Sequence, residues 1–216
     1  MTWWRLRKKM TVLPPLEGYN RWSATYHQES NPIKDLSDQL VEKLLPDLKD
    51  KNFLDAGCGT GKFCSLAEKK NAARIVGLDL SPNMIEIAHQ QCKSAEFRSG
   101  DLSSVLIEEN NYDVIICALV LGHLEHLTPA LDNLLKALRH GGVLIITDFH
   151  PFLTLLHAKR TFREAVTGKS FEVRHHLHLF EDYFKVISLH QAVVETLEEP
   201  RYNNSPAVFG FRIRKT

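Results

Sequence analysis

Cysteine is scarce and unpaired in this chain: four of 216 residues, at Cys58, Cys64, Cys92 and Cys117, with no C-x-x-C spacing among them. That spacing argues against a disulfide framework or a zinc or redox site, and free thiols in a cytoplasmic protein are expected. Long apolar runs are also missing. The longest, "VIICALVLG" from Val114, falls far short of the roughly 20 residues needed to cross a bilayer and reads as a buried strand. Nor is there an excess of charge. Lys and Arg number 27 against 26 Asp and Glu, a net charge of +1, so the chain carries no electrostatic footprint for DNA, RNA or an acidic membrane. The basic start "MTWWRLRKKM" has no apolar segment behind it that would make a secretory signal, and a frayed terminus is expected there. Internal repeats and low-complexity segments are absent. What remains is an ordinary globular composition, 44% hydrophobic and 25% charged, and a small ligand.

The pattern along the chain divides it into four parts of one domain. Residues 1–30 are irregular and aromatic-rich, an N-terminal cap. Residues 31–149 alternate strand and helix. A helix from Asn31 to Pro46 is followed by strand "NFLDA", helix Lys62 to Lys70, strand "RIVGLD" and a helix with Ser81 at its N-cap and Pro82 at its first position. Strands "AEFRS" and "YDVIICALV", a helix from Thr128 to Arg139 and strand "GGVLIITDF" complete the run. Regular alternation implies right-handed crossovers, hence a Rossmann-like α/β open sheet, mostly parallel, with helices on both faces and its ligand at the carboxyl ends of the strands. Residues 150–178 show no clean period and are expected to form a lid or insert. Residues 179–216 read as a helix, with Phe180, Tyr183, Phe184 and Ile187 on one face, and a β-hairpin that adds an antiparallel last strand.

Chemistry concentrates in "FLDAGCGTGKF", residues 53–63. Glycines there let the backbone turn tightly and approach a ligand, and the next helix offers free N–H groups. A phosphate-binding P-loop fails, because Ala56 stands where its first glycine is needed and Phe63 where its Ser or Thr is needed. A dinucleotide loop would require glycine at Lys62, which weakens a nicotinamide-dependent oxidoreductase. The pattern D-x-G-x-G-x-G from Asp55 to Gly61 remains. Downstream, Asp79 ends the second strand, where a carboxylate can accept both hydroxyls of a ribose, and Asp101 ends the third, where it can accept from an adenine amine.

These residues, with "VGLDLSPNMIEIA", "GDL", "YDVIICALVLGHL" and "LRHGGVLIITD" in that order, resemble the class I S-adenosylmethionine-dependent methyltransferases over roughly residues 19–149. "YNRWSATYHQE" is similar to the cap of the ubiquinone and menaquinone C-methylase type. The resemblance implies that Gly57 and Gly59 lie under the methionine part of S-adenosyl-L-methionine and that Asp55 orients its amino group. It also implies that Asp79 and Leu80 hold the ribose, that Asp101 and Leu102 hold the adenine, and that Cys117 to Leu119 end a strand beside the sulfonium. Tyr19 and Tyr26 would stand near the cofactor. The family's usual proline in the "LRHGG" turn is His140 here.

The expected activity is methyl transfer to carbon, oxygen or nitrogen of a small-molecule acceptor by a monomer or homodimer, without a metal. A non-catalytic protein binding the same ligand is the alternative from another class. Because histidine titrates near pH 6.5, the histidines at the ligand end of the sheet are the candidate general bases. His123 follows the fourth strand, His150 follows the fifth, and His178 belongs to "HHLH" with His175 and His176. His150 and His178 are expected to face the transferable methyl from two sides of a closed lid.

Overall fold

Side-chain alternation along the strands decides which helices cover which face. In the computed structural model, which describes residues 10–26 and 31–216, the chain opens with β1 (Thr11–Leu13), α1 (Pro15–Trp22) and α2 (Pro32–Leu44). It continues through β2 (Asn52–Ala56), α3 (Lys62–Lys69), β3 (Arg74–Asp79), α4 (Pro82–Gln91), β4 (Glu96–Ser99) and β5 (Tyr112–Ala118). Then come α5 (Leu127–Ala137), β6 (Leu138–Phe149), α6 (Pro151–Leu155), β7 (Thr161–Arg163), β8 (Ser170–Val173) and α7 (Phe180–Ile187). The chain ends with β9 (Ala192–Glu198), the short β10 (Arg201–Tyr202) and β11 (Ser205–Pro206), and β12 (Val208–Lys215). The basic cluster at residues 1–9 and the end of the aromatic cap, residues 27–30, lie outside the described residues.

Seven strands form the main sheet in the order β4-β3-β2-β5-β6-β12-β9. The first five run parallel, and β12 lies antiparallel between β6 and β9, the expected reversed last strand. Leu54, Ile115, Leu144 and Ile146 point to one face and pack with Leu131 and Leu134 of α5 and Tyr183 and Val186 of α7. Their neighbours Phe53, Val114, Ile116 and Ile145 point to the other and pack with Leu40 and Leu44 of α2 and Phe63 and Ala67 of α3. This period of two, apolar on both faces, is why the strands read as continuous hydrophobic runs.

Local signals set the helix starts. Asn31 caps α2 by accepting from the Ile33 and Lys34 amides at 3.0 and 3.3 Å, and Ser81 caps α4 by accepting from the Met84 amide at 3.2 Å. Each is followed by proline at the first helical position.

Four readings need correction. Helix α5 stops at Ala137, and β6 begins at Leu138 rather than Gly141; the strand bulges between the Tyr112–Leu138 and Val114–Val143 pairs, and Gly141, at φ +77°, absorbs the excess. On α7 the buried residues are Tyr183, Val186 and Ile187, while Phe184 sits at the rim, 40% exposed, against Phe211. The turn "EPRYNNSP" contains the β10–β11 hairpin, with Asn203 and Asn204 both at positive φ as its tight turn requires. Finally, the two segments without a clean period meet. β1 pairs in parallel with β8, and β8 pairs antiparallel with β7, giving a three-stranded sheet over a small core of Leu13, Trp22, Phe162, Phe171 and Val173. None of these three strands is longer than four residues, too short for a period to be visible.

Candidate active site

The glycine loop between β2 and α3 turns through three left-handed residues, Gly57 (φ +82°), Gly59 (φ +51°) and Gly61 (φ +84°). The Gly57 and Cys58 amides donate to the Leu78 carbonyl at 2.7 and 2.8 Å, which pins the loop to the end of β3. Next to it Asp79 accepts from the Gly59 amide with Oδ2 and from the Ser81 amide with Oδ1, both at 2.8 Å. Burial pushes its carboxyl above the ordinary range, against the pull of those two donors. Each oxygen keeps a lone pair for a ligand. A Cβ on Gly57 would meet Val120 Cγ2 at 2.1 Å, so the backbone approach there is closed to any side chain.

Of three cavities here, two open on this loop and the other adjoins both. The first, about 390 Å³, is lined by Tyr19, Tyr26, Gly57, Gly59, Asp79, Leu80, Asp101, Leu102 and His123 among others. Its described lining includes the carboxylates Asp79, Asp101 and Glu125 and neither lysine nor arginine. Asp101 is exposed, and its Oδ1 accepts from the Ser103 amide at 2.8 Å. The second, about 230 Å³, opens between α1, α2 and β7, with Trp22, Lys34, Phe149 and Arg160 in its wall. The third, about 330 Å³, lies across the glycine loop beside Asp38, Thr60, Lys62 and Phe63. Tyr26 and Leu119 line all three. Leu119 is held at φ +60°, its amide donating to the Thr147 carbonyl at 2.8 Å. Strained backbone of this kind persists where its surroundings over-determine it, as at ligand sites.

A buried polar chain closes one wall. The Nδ1 of His123 lies 2.7 Å from the Arg174 carbonyl, which can only accept, so Nδ1 carries the proton and Nε2 accepts. Tyr19 Oη at 2.8 Å and Arg160 Nη1 at 3.0 Å converge on that Nε2. Burial, reinforced by the Arg160 charge, holds the His123 pKa down at about 3, so its ring is neutral. Burial likewise pushes Tyr19 up to about 12. Arg160 is paired with Asp148, whose carboxylate also accepts from the Gly122 and Phe149 amides at 2.7 Å each. Burial would raise Asp148, but Arg160 and these donors outweigh it and hold the carboxyl below its ordinary range.

The structure therefore brings Tyr19, Tyr26, Gly57, Gly59, Asp79, Leu80, Asp101, Leu102 and His123 to one cavity. Other expectations are corrected. His150 does not face it. His150 Nδ1 accepts from the Phe152 amide at 3.1 Å, capping α6, and Nε2 donates to Glu199 at 2.8 Å, so both ring nitrogens are engaged. His178 donates from Nε2 to the Leu124 carbonyl at 2.8 Å and packs edge-on to Tyr183, tying down a loop behind the cavity. The Cys117 side chain points into the core beneath the sheet end, fully buried; Ala118, Leu119 and Val120 form the wall instead. Asp55 also lies under the loop, 1% exposed, accepting from Cys64 Sγ at 3.7 Å, and burial pushes its carboxyl up to about 7. Sequence reasoning missed Asp38, Lys34 and Arg160; Arg160 sits in an aperiodic segment that carries no local signal.

The site fits the group that the resemblance implies. Asp79 and Asp101 line the cavity where the resemblance would put ribose and adenine, and at Gly59, where a Cβ would meet only Tyr26 Cε1 at 3.9 Å, the loop leaves space beside the backbone for a ligand. Among the described residues no three His, Cys, Asp or Glu side chains come together as a metal site, and no helix is long and apolar enough to cross a membrane.

Comparison with known proteins bears on the fold and the family. The chain is 33% identical over 97 residues to a malonyl-[acyl-carrier protein] O-methyltransferase of Serratia marcescens, covering 45% of this chain and 38% of that protein. It is 25% identical to an uncharacterized methyltransferase of Emericella nidulans, covering 96% and 88%. The fold matches that of the N-methyltransferase NodS of Bradyrhizobium japonicum, in complex with S-adenosyl-L-homocysteine, with a TM-score of 0.73 at 18% identity over 94% of this chain and 99% of that one. The chain spans about half or less of the length of several curated relatives it matches. A methyltransferase-domain family model matches residues 27–192, and the chain belongs to that methyltransferase domain family.

Proposed function

We propose that this chain transfers a methyl group from S-adenosyl-L-methionine to a small-molecule acceptor. The observation that carries the reading is the meeting of three cavities at Tyr26 and Leu119, beside the glycine loop and Asp79. Asp79 and Leu80 hold the ribose and Asp101 and Leu102 the adenine in the 390 Å³ cavity. The methionine part passes Gly57 and Gly59 into the 330 Å³ cavity, and the acceptor enters from the 230 Å³ cavity.

When bound, the cofactor supplies an activated sulfonium methyl. The chain's work is then alignment and exclusion of water, which can contribute on the order of 7 to 11 kcal/mol. Tyr19 and Tyr26 wall the junction as neutral hydroxyls, since burial raises the pKa of each. His123 is a positioning residue: its neutral Nε2 fixes the Tyr19 hydroxyl, and its Nδ1 proton anchors it to Arg174. Incubation of the purified protein with S-[methyl-³H]adenosylmethionine and a metabolite extract tests the reading. Label in a small product is expected, and its absence together with absence of cofactor binding would refute it.

A further inference from the structure

We infer that the acceptor is a carboxylic acid, bound with its carboxylate toward Arg160 and Lys34 and its apolar body among Trp22, Tyr26 and Phe149, and that its carboxylate oxygen receives the methyl. This inference rests on the reading of the preceding section and names the substrate class of the same site.

Charge is divided between the cavities. The described lining of the 230 Å³ cavity contains three cations, Lys34, Lys159 and Arg160, and no Asp or Glu. The adjoining 390 Å³ cavity has the reverse, three carboxylates and no Lys or Arg. Asp148 stands behind Arg160 and Glu172 behind Lys159, and Lys34 donates from Nζ to the Tyr26 carbonyl at 3.2 Å with Asp38 in its field; none of these acids is part of the wall. Arg160 is placed to do more than balance Asp148. Its Nε is buried without a hydrogen-bond partner, and its Nη1 lies 3.3 Å from the carbonyl of Leu119, the residue at which the three cavities meet. The start of α2 adds to the field, because Asn31, Ile33 and Lys34 at its N-terminus line the same cavity. An ammonium acceptor would be repelled here, whereas an anion is drawn to the junction.

The second argument is the lack of a base. Among the described residues, both nitrogens of His123 are engaged, His150 and His178 lie elsewhere, and His126 lines the 390 Å³ cavity but neither of the other two, so it is not at the junction. An alcohol or carbon acceptor must lose a proton; a carboxylate need not. Its oxygen lone pair forms the new C–O bond as the methyl–sulfur bond breaks, and that bonding pair stays on sulfur. The products are a methyl ester and the uncharged thioether S-adenosylhomocysteine, and no proton moves. The third argument is shape: Trp22, Tyr26 and Phe149 give the cavity aromatic walls suited to a flat or apolar body.

The test has two steps. S-adenosylhomocysteine is titrated into the protein first, and failure to bind there refutes the functional reading itself. In its presence phenylacetate and hexanoate are titrated against phenylacetamide and hexanamide. The acids are expected to bind at least about tenfold more tightly than their amides, about 1.4 kcal/mol, and the preference should shrink in Lys34→Gln and in Arg160→Lys. Because Arg160 supports buried Asp148, its variant is read only beside its melting curve; Lys34→Gln, at a helix start, carries the test alone if Arg160→Lys does not fold. With S-[methyl-³H]adenosylmethionine the label should pass to an acid and be released as volatile methanol by mild base. Acids that bind no better than their amides overturn the inference, as does base-stable label on phenethylamine or phenethyl alcohol.

Discussion

Replacing Gly57 by alanine adds one methyl group at the point where the glycine loop passes closest to β5's extension. Two costs follow from the structure and can be separated. Gly57 has φ +82°, a left-handed conformation that costs an L-residue about 1 to 2 kcal/mol. The new Cβ would also stand 2.1 Å from Val120 Cγ2 and 3.2 Å from its Cβ and Cγ1. Relieving such a contact costs about 1 to 3 kcal/mol more. Gly141 is the internal control, since it has φ +77° but nothing within 4 Å of its hypothetical Cβ. Gly141→Ala should therefore lose about 1 to 2 kcal/mol, and Gly57→Ala roughly 2 to 5. In a chain of this size each kcal/mol moves the melting temperature by about 2 to 4 °C. Val120→Ala in the Gly57→Ala background removes Cγ2 and should recover part of the steric cost while leaving the conformational one. Urea denaturation of the three variants and wild type measures this. Equal destabilisation by Gly57→Ala and Gly141→Ala, or no recovery in the double variant, would refute the argument.

Asp55 and His123 should give opposite pH slopes in the ligand-free protein. Asp55 has a folded pKa of about 7 against 3.8, so the stability it contributes is present at low pH and lost as pH rises from about 4 through 7. His123 has a folded pKa of about 3 against 6.5, so its contribution is present above pH 6.5 and lost as pH falls toward 3. Denaturation midpoints from pH 4 to 7 should rise with pH in Asp55→Asn and fall in His123→Gln; matching profiles would sink both assignments. His150→Ala should cost about 0.5 to 2 kcal/mol through the lost cap of α6, read as a lower melting temperature, while calorimetric affinity for S-adenosylhomocysteine stays unchanged. All four thiols are buried; they should react with a thiol reagent slowly in the native protein and together on unfolding, and a rapid native reaction at any one contradicts its burial.

Much of the site was legible because it is local. "LDAGCGTG" declares its own loop, and Asp79-Leu80-Ser81-Pro82 combines a strand end, a helix cap and a proline within four residues. The same logic could have corrected His150. Asn31-Pro32, Ser81-Pro82 and His150-Pro151 are each an N-cap followed by proline, and a capping imidazole has already committed one nitrogen. What could not be read is the part built from distant residues. Thr11–Leu13 pairs with Phe171–Val173 about 160 positions away, and each piece is too short for a repeating pattern to show. Arg160 owes its place to that small sheet and to Asp148, and Tyr19 owes its hydroxyl geometry to His123, 104 residues on. Non-local polar pairs leave no periodic trace, and they build the wall to which the proposal assigns the acceptor.

The central claim is that the cavity beside Asp79 is built for S-adenosylmethionine. Titration calorimetry with S-adenosylhomocysteine, NADH and ATP on wild type and Asp79→Ala tests it directly. Asp79 already spends two acceptor positions on the Gly59 and Ser81 amides and has its others for ribose, where hydrogen bonds to a charged group are worth about 1.5 to 3 kcal/mol each. The expected result is one molecule of S-adenosylhomocysteine per chain, no comparable binding of NADH or ATP, and an affinity at least about tenfold weaker in the variant. Unchanged affinity in Asp79→Ala, or tighter binding of NADH than of S-adenosylhomocysteine, would contradict it.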